Sequence, residues 1–371
     1  MKIGYVVDDT LDKTDGVQQY VLAVGEWMRA RGHDVHYIVG QTNRTDIANV
    51  HSMSRNIRVV FNGNRLTIPW WASKRAIKRL LDEQQFDVLH VQMPYSPLMA
   101  QRVLRAASGS VTKVGTFHIM PYGRAVFVLT HVLGWMLRPS LRQLKHVFAV
   151  SQAAKSFADR AFGVRATVLG NAIDLQPFLC AKPIPGDGAP TIVYLNRLVP
   201  RKGSQYLVAA VRMLVQDMGY TKPFQVLIGG KGELEAELQR YIDRHNLSQH
   251  IRLIGFVPEE SKAQCLAGAD IVVYPSTGGE SFGIVLLEGM AASRGVVLAG
   301  NNPGYTSVMS ELPDQLFAPR DIPAFAELLR TYLNNPGKRR ARVQPQRKLA
   351  QRFDIQVIGS TLEDYYRKSA S

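Results

Sequence analysis

Two sets of side chains in this sequence have the types and spacing to do chemistry. Arg197 and Lys202 share one loop after the apolar run Thr191–Leu195. A forked guanidinium and a mobile ammonium suit a diphosphate, and fixed cations stabilise charge growing on a phosphate leaving group without a metal. Glu280 and Glu288 frame the turn Gly278-Gly279-Glu280-Ser281-Phe282-Gly283, which lies between the apolar run Ile271–Tyr274 and a helix expected over Ile284–Ala292. A glycine turn that opens a helix after a strand can hold an anion, because its backbone N–H groups and the helix dipole point the same way. Such a cradle between two hydroxyl-binding carboxylates would suit a sugar nucleotide; a tight turn with two solvated acids is the plainer alternative. His118 closes the strand-like run 111–117, where it can serve a substrate hydroxyl or be structural. Gly16, just before a helix, would let backbone approach a ligand or simply begin the helix.

These residues need elements to hold them. Lys2–Val7 alternates as a strand, a polar loop follows, and Val17, Tyr20, Val21, Val24, Trp27 and Met28 recur at helical spacing before a second strand at 35–39. This strand–loop–helix–strand unit begins a doubly wound parallel sheet, whose ligands bind at the carboxyl ends of the strands. Further strands are expected at 58–61, 86–92, 111–117, 147–150 and 167–169, with a helix at 72–84 and one or two helices over 126–145 packed under the loops. After the Pro/Gly-rich stretch 174–189, read as a linker, strands at 191–195, 224–228, 251–254, 271–274 and 296–298 form a second sheet. The expected fold is α/β, with two Rossmann-like domains whose parallel sheets face a central cleft. The boundaries fall at 1–172, 173–354 and 355–371, the last being a helix that crosses back to the first domain.

Composition narrows the classes. The chain has 371 residues, 46% of them hydrophobic, which fits a globular protein of two domains. Two isolated cysteines, Cys180 and Cys265, fit a reduced cytoplasmic setting. The longest apolar run, 126–137, is too short to span a bilayer, and the opening residues read as a strand rather than a leader. No Asp-x-Asp, P-loop or Gly-x-Gly-x-x-Gly pattern and no metal-spaced cluster occurs, so no metal or organic cofactor is expected.

The net charge of +15 is uneven: residues 1–172 carry 22 Lys/Arg and 11 Asp/Glu, and residues 88–158 contain no acid at all. Such a field attracts polyanions or an anionic surface. Lys74, Arg75, Lys78 and Arg79 form one stripe of the helix at 72–84, with Trp70 and Trp71 at its entrance. That combination reads either as an interfacial membrane helix or as an ordinary surface helix with its apolar side on the core. A second basic tract, 338–352, reads as a solvated face, with a membrane role as the alternative.

Seven segments occur together in one order: Asp15-Gly16-Val17-Gln18, Thr116-Phe117-His118, Gly170-Asn171-Ala172-Ile173-Asp174, the loop 197–203, Gly229 to Gly232, Gly255-Phe256-Val257 and the turn 279–283 leading to Glu288. The set resembles the retaining GT-B glycosyltransferases of family 4 over almost the whole chain, and within them the phosphatidylinositol mannosyltransferases. The resemblance implies that Arg197 and Lys202 hold a donor diphosphate, that Glu280 binds donor-sugar hydroxyls with the backbone of Phe282, Gly283 and Ile284, and that Glu288 binds the ribose. Val257 would meet the base, His118 would lie near the donor sugar, and Gly16 would sit close to donor and acceptor. It also implies transfer of a hexose from GDP-mannose, or another GDP- or UDP-hexose, to an anionic lipid such as phosphatidylinositol by a peripheral, monomeric enzyme at the cytoplasmic membrane face. The membrane and acceptor side would include Asp15, Gln18 and the helix 72–84 with Trp70 and Trp71. Asp15 stands where the family has a glycine, which leaves the acceptor open. The alternatives are a family-4 enzyme acting on a soluble polysaccharide or metabolite, and a nucleic-acid binder. No nucleic-acid recognition motif supports the last.

Overall fold

The computed structural model describes residues 1–12, 15–61, 64–121, 124–183 and 188–370, without the side chains of 58–71, 124–125 and 370. It forms two compact units, Met1–Asp174 with the chain from Phe353 onward, and Leu175–Arg352.

The first unit runs β1 (Lys2–Val7), α1 (Gly16–Ala30), β2 (Asp34–Val39), β3 (Val50–Ser52), β4 (Ser54–Phe61), β5 (Asn64–Ala72), α2 (Lys74–Gln84), β6 (Val88–Gln92), α3 (Met99–Ala106), β7 (Thr112–Phe117), α4 (Arg124–Leu141), β8 (His146–Ala149), α5 (Gln152–Phe162) and β9 (Thr167–Val168). The second runs α6 (Gln176–Leu179), β10 (Thr191–Leu195), α7 (Ser204–Arg212), β11 (Gln225–Gly229), α8 (Glu235–Arg244), β12 (Ile251–Gly255), α9 (Glu259–Ala267), β13 (Ile271–Tyr274), α10 (Ile284–Ala292), β14 (Val296–Gly300), α11 (Pro303–Val308), β15 (Leu316–Phe317), α12 (Ile322–Asn334) and α13 (Pro336–Gln351). The chain ends in α14 (Ile355–Ala370), which belongs to the first unit.

Among the described residues the first sheet has seven strands in the order β3-β2-β1-β6-β7-β8-β9, and the second has six in the order β12-β11-β10-β13-β14-β15. The pairings in both are parallel. Central strands such as β1, β10 and β13 are nearly solid Val/Ile/Tyr, as burial on both faces requires. In each sheet the strand order reverses beside the first strand, β1 or β10. Loops leaving neighbouring strands at that point diverge and leave room for a ligand.

Three expectations from the sequence are corrected. The stretch before α2 is an antiparallel hairpin, β4–β5, so Pro69, Trp70 and Trp71 lie on a strand rather than at a helix entrance. The linker holds the short helix α6. The segment around α4 is not covered by loops: its Thr130, Gly134, Leu137 and Leu141 face inward at i, i+4, i+7 and i+11, while Val128, Val132, Trp135 and Met136 on the opposite side are exposed. Gly134 explains the seating of α4, since a Cβ there would lie 2.0 Å from the Ala161 carbonyl oxygen on α5. No described helix is long and apolar enough to cross a membrane.

Candidate active site

The sequence-predicted residues fall into one group in each unit. In the second unit, the adjacency of β10 and β13 brings two loops side by side. Gly203 makes this possible: its φ is +79°, and a Cβ would sit 1.9 Å from the Pro275 carbonyl oxygen. The loops are tied by Thr277 N–H donating to the Arg201 carbonyl at 2.9 Å, and Ser276 Oγ lies 3.0 Å from the same oxygen.

Glu280 is thereby buried between cations. Its Oε1 lies 2.8 Å from Lys202 Nζ and 2.9 Å from Arg201 Nη1, and accepts from Ser276 Oγ at 2.9 Å. Burial alone would raise the Glu280 carboxyl, but the charges of Lys202 and Arg201 and the hydrogen bonds from Lys202 and Ser276 hold it below its ordinary range. Burial pushes the Lys202 ammonium down to about 8 against the pull of Glu280, and the charges of Arg201 and Arg197 push it the same way. The cluster is thus two buried cations on one carboxylate, a locally positive site suited to an anion. Arg197 sits half-buried at the carboxyl end of β10, its carbonyl accepting from Tyr194 at 3.1 Å. Arg201 is the residue the sequence reading passed over. Its neighbour Lys202 was visible in the same loop, but only the β10–β13 pairing shows that both reach Glu280.

The turn continues into α10 through Gly283, at φ +102° and pressed against the Tyr305 ring, where a Cβ would be 2.4 Å away. The N-cap of this helix is Gly283, which has no side chain to cap it, and Leu286 N–H donates to the Gly283 carbonyl at 3.0 Å. Phe282 and Ile284 are buried on either side. Glu288 is buried inside α10 and bound at 2.9 Å by Lys262 Nζ of α9, which also holds Glu259 at 2.8 Å. Burial raises the Glu288 carboxyl, and Lys262 offsets part of that rise. Lys262 too was missed; its only trace in the sequence is the i, i+3 pair with Glu259. Val257, after β12, brings its side chain to the carboxyl end of β11, where a Cβ on Gly229 would meet it at 2.9 Å.

In the first unit, three neighbouring strands end together. Beyond β7, His118 Nε2 lies 2.7 Å from Oε1 of Gln92, the last residue of β6. An amide oxygen accepts, so Nε2 carries the proton and Nδ1 is the ring's acceptor. Burial pushes the His118 imidazole down to about 3, so it is neutral at pH 7. Its ring packs edge-on against Tyr20 of α1, with centroids 5.4 Å apart. Past β1, Asp8 is buried and accepts from the Ala100 N–H at 2.8 Å, and burial pushes its carboxyl up to about 7. In the sequence Asp8 is simply the first residue of the polar loop after the first strand. Asp15 is the N-cap of α1 without a side-chain capping bond, and Gly16 follows it, exposed. Gln18 is buried and donates to the Thr10 carbonyl at 3.1 Å.

On α2, Lys74, Arg75, Lys78 and Arg79 are exposed, while Ile77, Leu80 and Leu81 are buried in the protein. The stripe is mixed: Asp82 and Glu83 border the same groove as Arg75, Lys78 and Arg79, and Arg79 pairs with Glu83 at 3.7 Å. The side chains of Trp70 and Trp71 lie outside those described. The tract 338–352 is not simply a solvated face. Arg339 is buried and donates to the Tyr332 and Leu333 carbonyls, Arg342 pairs with Asp314 at 2.6 Å, and Arg352 pairs with Glu311. Its acids come from other elements, which the tract alone could not reveal. Among the described residues no group of three or more His, Cys, Asp or Glu side chains converges as a metal would require.

Known proteins resemble this chain along its length. Residues 14–177 match the family described as Glycosyltransferase Family 4, and residues 180–349 match Glycosyl transferases group 1. A phosphatidyl-myo-inositol mannosyltransferase of Mycobacterium tuberculosis is 31% identical over 100% of this chain and 97% of its own. A GDP-mannose-dependent monoacylated alpha-(1-6)-phosphatidylinositol monomannoside mannosyltransferase of Corynebacterium glutamicum is 24% identical over 91% of this chain and 90% of its own. A solved glycosyltransferase from Rickettsia africae superposes with a TM-score of 0.77 at 18% identity, covering 99% of this chain and 98% of that one, and supports the two-sheet GT-B fold. The chain belongs to the glycosyltransferase family that includes the phosphatidyl-myo-inositol mannosyltransferases, and it is a glycosyltransferase.

Proposed function

We propose that this enzyme transfers mannose from GDP-mannose to phosphatidylinositol, with retention of anomeric configuration, at the cytoplasmic face of a membrane. The observation that carries the reading is the end-to-end match to a phosphatidyl-myo-inositol mannosyltransferase in a chain whose Glu280 is held by two buried cations. In this reading Lys202 and Arg197 take the donor diphosphate, and the glycine turn opening α10, at Phe282, Gly283 and Ile284, adds backbone contacts. Glu280 takes sugar hydroxyls, Glu288 the ribose, and Val257 the base. His118, neutral, offers Nδ1 to a hydroxyl of the transferring sugar. Gly16 lies by the donor, and Asp15 and Gln18 serve the acceptor side. Cations in place of a metal would stabilise the departing phosphate, whose oxygen helps take the acceptor proton.

Calorimetric titration with GDP, UDP and ADP, followed by transfer assays with GDP-mannose and UDP-glucose on phosphatidylinositol, tests the reading. Binding of GDP and transfer of mannose are expected. Preference for UDP, or full activity on a water-soluble glycan acceptor without lipid, would replace donor or acceptor in the proposal. Glu280→Ala and Lys202→Ala should each lower transfer by about a hundredfold or more with the fold intact by circular dichroism; wild-type rates in either would mean that the site is misplaced.

A further inference from the structure

The unit of residues 1–174 carries an exposed apolar feature that the basic stripe of α2 does not explain. Helix α4 is apolar on both sides. Its inner side is spent on α5, and its outer side presents Val128 at 62%, Trp135 at 70% and Met136 at 60% exposure, with Leu129 and Val132 beside them. A contiguous apolar strip of this kind on a described surface marks a contact with something apolar. One to two turns further on, the strip runs into cations. Arg138, at i+3 from Trp135, shares its side of the helix, and Arg142 follows just past the helix end. With Lys145 and Arg165 they line a groove of about 460 Å³, floored by Leu141 and Phe162. Arg138, Arg142 and Arg165 have no carboxylate partner among the described residues, and the interval 88–158 contains no acid to supply one. The arrangement is an exposed apolar strip with an unneutralised cationic end, the pattern of an interfacial helix on an anionic bilayer. α2 has the reverse arrangement, with its apolar residues inside the protein and its cations partly matched by Asp82 and Glu83.

We propose that the outer face of α4 inserts among the acyl chains of an anionic bilayer and that the Arg138–Arg142–Arg165 groove takes a phospholipid phosphate. A protein partner or a second copy of the chain would not call for unneutralised cations at the end of the strip. The inference rests on the lipid-acceptor reading for the presence of a membrane, but its test uses no donor and no transfer step. Full-length protein is floated with vesicles of phosphatidylcholine alone and of phosphatidylcholine with phosphatidylglycerol. Wild type should float with the anionic vesicles. Trp135→Ser with Met136→Ser should lower that partition at least about tenfold, and Arg142→Gln with Arg165→Gln should lower it about fivefold per charge removed. Both variants change exposed residues away from the donor site, so GDP titration and thermal unfolding should match wild type. Brominated acyl chains should quench Trp135 emission, a signal absent from Trp135→Phe. No flotation of wild type, undiminished flotation of the Trp135/Met136 variant, or a wild-type dimer that this variant converts to monomer would each overturn the proposal. Flotation through Trp135 without mannose transfer to lipid would instead leave it standing and count against the acceptor.

Discussion

Glu280 touches both Arg201 and Lys202, and losing each partner has a different consequence. Arg201 is buried behind the carboxylate, so Arg201→Ala strands part of a buried charge and should cost about 2–4 kcal/mol of stability, read by denaturant unfolding, together with turnover. Lys202 stands with an ammonium near 8, so donor affinity should be steady through neutral pH and fall above about pH 8, as the free enzyme loses that proton. A bound diphosphate pulls the value up, which is the same linkage seen from the ligand side. Calorimetry from pH 6 to 9.5 measures this, and Lys202→Arg should flatten the profile. Asp8 is shifted the other way, upward. Its folded value, about 7 against 3.8, means that ionisation disfavours the fold, so the stability it contributes is full below pH 3.8 and lost as pH rises through 7. Asp8→Asn should therefore raise the melting temperature at pH 8 and lose that gain towards pH 4. Glu280 and Lys202 were legible because a glycine turn and a basic loop are local patterns. Arg201, Lys262 and Asp8 were not, because their importance lies in what the fold packs against them.

Helices and loops were legible to the extent that their pattern was one-sided. α10 was placed residue for residue, since an apolar run after a glycine turn allows little else. α4 was read as buried because it is apolar all round, and the sequence holds no sign of which face finds a neighbour. The hairpin β4–β5 was half missed because Pro69 and the tryptophans mimic a helix start. Gly203 tests the central loop as an element. Gly203→Ala puts a Cβ against the Pro275 carbonyl at a positive φ, and should cost about 2–4 kcal/mol while weakening GDP binding by parting the loops that carry Lys202 and Glu280. Gly188→Ala, with nothing within 4 Å, is the control for φ alone.

At the scale of the molecule, the chain leaves the first unit near Asp174 and returns at Phe353. The two passages lie side by side in the first unit, where Ile173 N–H donates to the Phe353 carbonyl at 3.1 Å and Ile355 N–H to the Ile173 carbonyl at 2.9 Å. α14 is then built into that unit's interior. Ile358, Leu362 and Tyr366 join its core, and Gly359 is pressed on Trp27. Glu363 binds Arg31 at 2.6 Å and His33 at 3.0 Å, and Tyr366 meets His90 at 2.5 Å. A fragment 175–352 should unfold cooperatively by itself, whereas 1–174 should lack a sharp thermal transition until a peptide of residues 353–371 is added. Equal melting of 1–174 with and without the peptide would contradict this. The same dependence sets an order on biosynthesis. The first unit needs a helix made after the whole of the second unit, so it waits with an open core while residues 175–352 are synthesised. Premature termination between residue 352 and the end of α14 would then leave a complete second unit attached to an unfinished first one, a natural substrate for chaperones and proteases.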